Sequence, residues 1–222
     1  MLIRRTNWLG LSVFLFSLFI LTLPAESQAP LKNLLKPETT TNKGLSTSDR
    51  TKEWQVIDGF RSAKFGMSER EVIRAIAKDF KLSKNKVNRK VLPTKHTALF
   101  VHAIKLMKVG GPADIVYFLD PKSKRLIRVN IDWGKEVTNN VDGKDILSAA
   151  NLLRKHFVKK RYKKELYAVN AKLSETMMLV FRGLDKKGRS IVLRLKSPMA
   201  RNIDQEEAGK HVSLLLTYQN KK

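Results

Sequence analysis

Apolar residues recur at helical spacing just after residue 68. The positions, repeating every three or four residues, are Val72, Ile73, Ile76 and Phe80. This spacing predicts an amphipathic helix over residues 69–80. At its start, Ser68 and Glu71 form an S-x-x-E capping box, in which each side chain can satisfy a free backbone donor near the other.

Alternating apolar positions after this helix predict strands. Residues 98–107 form the first, with one face made of Phe100, His102, Ile104 and Leu106, and Gly110-Gly111-Pro112 ends it. Strands over residues 115–119 and 126–133 flank Asp120-Pro121-Lys122-Ser123-Lys124, which is typical of a hairpin turn. The lysine-rich residues 81–95 are interpreted as a loop.

The order of elements then recurs. Asp142 begins a second predicted helix, which reaches about residue 158, and strands follow at 166–171, 177–184, 190–196 and 212–218. The turns at 119–125 and 184–189 resemble each other. We therefore expect an α+β fold of two tandem units, each a helix followed by an antiparallel sheet, over residues 54–135 and 136–222. Local patterns of this kind also arise without duplication.

The N-terminus has the pattern of a secretory signal peptide. Arg4 and Arg5 precede the uncharged apolar run Trp8–Leu23, and small residues follow it. We predict a signal peptide over residues 1–27, with cleavage after Ser27, although cleavage after Ala29 and an uncleaved membrane anchor are alternatives. The cleaved protein would be periplasmic or secreted and would keep no transmembrane span.

Residues 28–53 are rich in Thr, Ser, Asn, Lys and Pro, which predicts a flexible linker. The apolar cluster Leu31, Leu34 and Leu35 could instead form a short amphipathic docking turn.

Composition adds a strong charge. The chain has 44 Lys and Arg against 20 Asp and Glu, a net charge of +24, which favours polyanionic partners without choosing among them. The 42% of hydrophobic residues exclude a disordered polycation. The absence of cysteine excludes disulfides, a lipid-modified cysteine and thiolate chemistry.

The segment Gly66-Met67-Ser68-Glu69-Arg70-Glu71-Val72 resembles the G-M-[ST]-x-x-[EQ]-V start of the helix in small outer-membrane-assembly lipoproteins of the SmpA/BamE kind. That resemblance implies a helical hairpin packed on a three-stranded antiparallel sheet. The tandem layout is also similar to that of β-lactamase-inhibitor proteins, which contain two such units.

Sequence signals for an active site or a metal site are weak. We find no G-x-S-x-G, H-E-x-x-H, P-loop or G-x-G-x-x-G motif, and we expect no catalytic residue, metal or cofactor. His102 lies between Phe100 and Ile104 on an apolar face, which favours a core histidine over a ligand. Residues 140–143 resemble part of a calcium loop, but a helix cap at Asp142 is favoured.

Four carboxylates could still pair in the folded chain, although no sequence spacing brings them together. They are Asp114, Asp120, Asp132 and Glu136.

Two basic runs are the remaining functional signal. The predicted anion- or partner-binding residues are Arg154, Lys155, Lys159, Lys160, Arg161, Lys163 and Lys164 in one run and Lys84, Lys86, Arg89 and Lys90 in the other. A solvated face or a cationic helix C-terminus is the alternative for any single run. The interleaved aromatics Phe157 and Tyr162 could stack on bases, but export makes nucleic acid a less favoured partner.

The sequence thus predicts a non-enzymatic cell-envelope binding protein. Its basic surface would meet an acidic protein or an anionic envelope component such as lipopolysaccharide or acidic lipid headgroups. The alternatives are an inhibitor or accessory subunit of an exported enzyme, and an unrecognised hydrolase.

Overall fold

The structure is a computed structural model that describes residues 52–140, 142–197 and 211–221. The predicted signal peptide and residues 28–51 of the predicted linker lie outside the described residues. No helix within the described ranges is long and apolar enough to cross a membrane.

The described chain contains two α-helices and ten strands. The helices are α1 (Glu69–Phe80) and α2 (Gly143–Phe157). Two short strands, β1 (Gly59–Phe60) and β2 (Ala63–Lys64), pair with each other. The longer strands are β3 (Asn88–Val91), β4 (Thr97–Ala103), β5 (Ala113–Leu119), β6 (Leu126–Gly134), β7 (Ala168–Ser174), β8 (Met177–Leu184), β9 (Ser190–Lys196) and β10 (Ser213–Gln219).

The eight longer strands form one antiparallel sheet in the order β3-β4-β5-β6-β10-β9-β8-β7. The predicted α+β fold of two tandem helix-plus-sheet units is therefore wrong, because the described body is mostly β and its eight longer strands belong to one continuous sheet. Strands β6 and β10 pair with each other and so connect the two halves of this sheet, from Gly134 opposite Ser213 to Arg128 opposite Gln219. Two separate sheets would leave these long strands as unpaired edges, and pairing them satisfies their backbone groups.

The local predictions for the helices agree with the structure. The first helix spans the predicted residues 69–80, and the backbone N–H and hydroxyl of Ser68 both donate to Glu71 Oε2, at 2.8 and 2.7 Å. The second begins after Asp142, whose Oδ1 accepts the Lys144 N–H at 2.8 Å. This bond makes Asp142 a helix cap, as the sequence favoured.

The strand predictions are less accurate. The strand predicted over residues 98–107 ends at Ala103, and Ile104 is 79% exposed beyond it. Strand β3 lies inside residues 81–95, which were interpreted as a loop. All four of its residues are exposed, so the strand carries no alternation of buried and exposed positions to reveal it.

Both faces of the sheet carry buried residues. Adjacent strand residues point to opposite faces. The largest fully buried side chains are Trp133, Tyr117 and Phe181. Because Val116 and Phe118 alternate with Tyr117, they lie on the other face, where Ala98 joins them and Leu92 and Phe100 pack against this cluster. We call this second side the polar-aromatic face.

Candidate anion-binding surface

A basic cleft opens beside α1. Its volume is about 530 Å³. The residues that line it are Glu69, Arg70, Ile73, Arg74 and Lys84. Arg70 and Arg74 are one helical turn apart, so their side chains are neighbours on the exposed side of the helix. Lys84 reaches the cleft from a short 3-10 helix, Lys84–Lys86, which follows α1.

The single acidic residue that lines this cleft is already paired. Arg89 Nε on β3 donates to Glu69 Oε1 at 2.7 Å. The hydrogen bond to Glu69 and its negative charge raise the pKa of Arg89. Glu69 is thereby neutralised, and within the described ranges Arg70, Arg74 and Lys84 make no ion pair. The cleft therefore presents three cations that form no ion pair within the described ranges, while the charge of Arg74 also contributes to lowering the pKa of Glu71 on the same helix.

Further cations follow along the chain toward and within β3. Lys86 in the short 3-10 helix and Lys90 on β3 are both exposed, and Lys90 lies on the polar-aromatic face of the sheet, with Nζ 5.3 Å from the ring centroid of Phe100. We define the α1–β3 basic region as Arg70, Arg74, Lys84, Lys86, Arg89 and Lys90. The sequence predicted four of these six residues. Arg70 and Arg74 were missed because they are isolated on the polar side of a helix, and their four-residue spacing opposite the apolar stripe was the available signal.

The other predicted run, which we call the 154–164 basic region, is partly used to hold the chain together. Lys160 forms an ion pair with Glu53, and the Arg161 guanidinium lies 4.6 Å from the ring centroid of Trp54. The Gln55 N–H donates to the Arg161 carbonyl at 3.0 Å, and the Arg161 N–H donates to the Glu53 carbonyl at 2.9 Å. Lys160 and Arg161 are thus held by residues 53–55.

The same segment is anchored again at Asp185. This carboxylate is 1% exposed, and its Oδ2 accepts both the Ile57 N–H at 3.1 Å and Arg189 Nη2 at 2.6 Å. Lys186, next along the chain, places Nζ 5.0 Å from the Trp54 ring centroid. Segment 53–57 is therefore joined to the 154–164 basic region and to the turn after β8.

The aromatic residues of this region belong to the core. Phe157 is 3% and Tyr162 is 6% exposed, and their ring centroids lie 5.2 and 5.1 Å from the ring centroid of Phe181. Burial raises the pKa of the Tyr162 hydroxyl, with smaller contributions from Tyr218 and Tyr167. Neither ring presents a face on which a base could stack.

The remaining cations of this region differ in exposure. Lys155, Lys159 and Lys164 are exposed, whereas Arg154 and Lys163 are half-buried. The segment leads to β7, and β3 and β7 are opposite edges of the eight-stranded sheet. Seven strand spacings separate these edges, roughly 34 Å. The structure therefore does not bring the two predicted runs together into one site.

A row of titratable side chains crosses the polar-aromatic face. Asp114 on β5 lies directly opposite His102 on β4 and Asp132 on β6. His102 Nδ1 lies 2.7 Å from Asp114 Oδ1, and 53% of the His102 side chain is exposed. The expectation of a core histidine is therefore wrong. Because residue 102 is next to the last residue of β4, the imidazole remains in contact with solvent.

Asp132 occupies the next position of this row. Burial, followed by the charges of Asp114 and Glu136, raises the pKa of Asp132 to about 6. The fold thus gathers three of the four carboxylates that the sequence could not place. The fourth, Asp120, instead accepts the backbone N–H groups of Ser123 and Lys122 in the β5–β6 hairpin, at 2.7 and 3.0 Å.

The row therefore places a carboxyl group with a raised pKa beside the hydrogen-bonded pair of His102 and Asp114. In the described part of the chain, no group of three or more His, Cys, Asp or Glu residues has the geometry to hold a metal ion. The row is a set of surface acid and base groups, distinct from the basic cleft beside α1.

No family model, no curated protein and no solved structure matches this chain.

Proposed function

We propose that this protein is a non-enzymatic binding protein of the cell envelope and that the α1–β3 basic region holds its anionic partner. The observation that supports this function most directly is the cleft beside α1, where three cations that form no ion pair within the described ranges lie around Ile73. An anionic group entering the cleft would displace no internal ion pair from Arg70, Arg74 or Lys84. Its binding energy would therefore not be reduced by breaking an existing contact.

The net charge of +24 supports the same function at longer range. Such a charge draws anions toward the whole surface and raises association rates, but it does not select a docking position. The cleft would provide that position. The N-terminal leader, which predicts export, favours a partner outside the cytoplasm, either an acidic protein or an anionic envelope component.

A second function, inhibitor or accessory subunit of an exported enzyme, is favoured by the polar-aromatic face. The guanidinium carbon of Arg128 lies 4.1 Å from the ring centroid of Phe118, and burial lowers the pKa of Arg128. Arginine and aromatic residues are enriched at the centre of protein interfaces. Shape complementarity, rather than net charge, would dominate such a contact.

Two charge-matched variants test the first function. One changes Arg70, Arg74, Lys84 and Lys86 to Gln, and the other changes Lys155, Lys159, Lys163 and Lys164 to Gln. Both remove the same formal charge, so any effect of net charge is equal. Binding to heparin and to vesicles containing an acidic lipid would be measured over a series of salt concentrations.

At low salt we expect the first variant to bind about five- to tenfold more weakly than the second, with a shallower salt dependence, since it loses the charges closest to the ligand. Equal losses in the two variants would contradict a specific site beside α1. A native partner that remains bound at high salt, and that is lost on changing Arg128→Ala, would favour the inhibitor-like function.

A further inference from the structure

Strand β3 is an exposed edge of the large sheet. It pairs with β4, from Asn88 opposite Phe100 to Val91 opposite Thr97, and no other described strand lies on its outer side. All four of its residues are exposed, including Val91 at 61%. Its outer backbone groups are therefore accessible to a further strand.

The hydrogen-bond register identifies these outer groups. The Leu92 N–H donates to the His96 carbonyl at 2.9 Å, so residues 92 and 96 form a hydrogen-bonded pair. In an antiparallel ladder, hydrogen-bonded and non-hydrogen-bonded pairs alternate. Positions 91 and 89 are then non-hydrogen-bonded, and their N–H and C=O groups point away from β4.

The opposite edge of the sheet is less suited to pairing. In β7, Asn170 has a left-handed backbone with φ of 53°, and the register with β8 shifts between Lys172 and Ser174. Bulges of this kind interrupt the regular row of donors and acceptors that an added strand requires. The register of β3 with β4 has no such shift.

The positive charges around β3 favour a negatively charged strand as its partner. Arg89 lies on the same side of the sheet as α1, where it contacts Glu69, and Lys90 lies on the polar-aromatic face. A strand added beside β3 would place alternate side chains on these two sides, toward the basic cleft on one side and toward Lys90 on the other. The same cations would repel the edge of a second, equally basic copy of this chain.

We infer that β3 binds an extended acidic segment of a partner protein, which joins the sheet as an additional antiparallel or parallel strand. This inference rests on the proposed function, because it identifies the anionic partner as a peptide. Backbone pairing with Arg89 and Val91 would position the segment, and its carboxylates would meet the α1–β3 basic region.

The test compares Val91→Pro with Val91→Ala. Proline at position 91 removes only the outward N–H, and proline is tolerated on edge strands for this reason. Its effect on Lys90 is small because the residue before a proline favours an extended conformation, which Lys90 already has in β3. The probes are a short synthetic peptide that alternates Val and Glu, and heparin as a polyanion without a peptide backbone.

We expect Val91→Pro to bind the peptide about tenfold more weakly than Val91→Ala, the effect of one lost backbone hydrogen bond, while both bind heparin equally. In the unchanged protein, amide hydrogen exchange at Arg89 and Val91 should slow when the peptide is added, and this measurement holds even if Val91→Pro folds poorly.

Equal peptide affinities in two folded variants, or unchanged exchange at both amides, would overturn strand addition. Binding of heparin without binding of the peptide would also overturn it and would leave the proposed function standing. Binding of neither probe at low salt would overturn both.

Discussion

The two basic regions have similar composition and opposite roles in the fold. In the α1–β3 basic region, one ion pair between Arg89 and Glu69 neutralises the local acid, and Arg70, Arg74 and Lys84 remain around a cleft. In the 154–164 basic region, Lys160 and Arg161 are engaged by Glu53 and Trp54. A dense run of cations therefore does not by itself mark the surface that is available to a partner.

The difference comes from residues far away in the sequence. The 154–164 basic region lies against segment 53–57, which supplies a carboxylate, an indole ring and backbone groups. Among the described residues, the α1–β3 basic region forms one ion pair, between Arg89 and Glu69. We therefore expect mutations in the 154–164 basic region and its contacts to reduce stability, and mutations in the α1–β3 basic region to reduce binding.

The largest expected effect is at Asp185, which anchors segment 53–57. Asp185→Asn removes the charge that pairs with Arg189, whose side chain is 13% exposed, and leaves a nearly buried cation without its partner. We expect a loss of about 3 kcal/mol in the free energy of unfolding, measured by chemical denaturation. Glu175→Gln, which breaks an exposed ion pair with Lys172, is the control and should change the midpoint very little.

The same residue predicts how stability depends on pH. Burial alone would raise the pKa of Asp185, but hydrogen bonds from Arg189 and Ile57 outweigh it, so the pKa lies below the ordinary 3.8. The stabilisation is fully present above pH 3.8 and is lost as pH falls through the lower folded-state value. The stability difference between the native protein and Asp185→Asn should shrink in that acid range, and a constant difference would contradict the ion pair.

A smaller loss of stability is expected when one cation from each basic region is replaced in turn. Arg161→Gln removes the guanidinium above Trp54 and should lower the free energy of unfolding by about 1 kcal/mol. Lys86→Gln, in the α1–β3 basic region, should stay within about 0.5 kcal/mol of the native protein because its side chain is exposed and makes no ion pair within the described ranges. Equal denaturation midpoints for these two variants would contradict a structural role for Arg161 that Lys86 does not have.

The smallest effect concerns the helix that carries the cleft. Ser68→Ala removes the hydroxyl that donates to Glu71 at 2.7 Å and should cost up to about 1 kcal/mol. Ser83→Ala is the matched control, since Ser83 precedes the short 3-10 helix without a side-chain capping bond. If Ser68→Ala is as stable as Ser83→Ala in thermal and chemical unfolding, the capping box does not stabilise α1.

Sequence spacing predicted the elements whose signals are local. The limits of α1, the cap at Asp142 and the hairpin at Asp120 each depend on residues within a few positions of one another, and the structure has all three. Spacing failed for β3, because a short exposed edge strand needs no alternation. It failed again for the sheet as a whole, because nothing local indicates that β6 pairs with β10.

The sequence by itself determined the amount of positive charge, the starts of the helices and the absence of disulfides. Only the tertiary structure decided which cations remain available to a partner. Lys160 donates a hydrogen bond to Glu53, and Ile57, in the same segment as Glu53, donates one to Asp185; the two residues of each pair are more than a hundred residues apart in the chain. It also brought His102, Asp114 and Asp132 into one row, since adjacent strands align residues by register. Hydrophobic periodicity fixes which side of a strand a residue occupies, but the residue opposite it is selected by long-range packing.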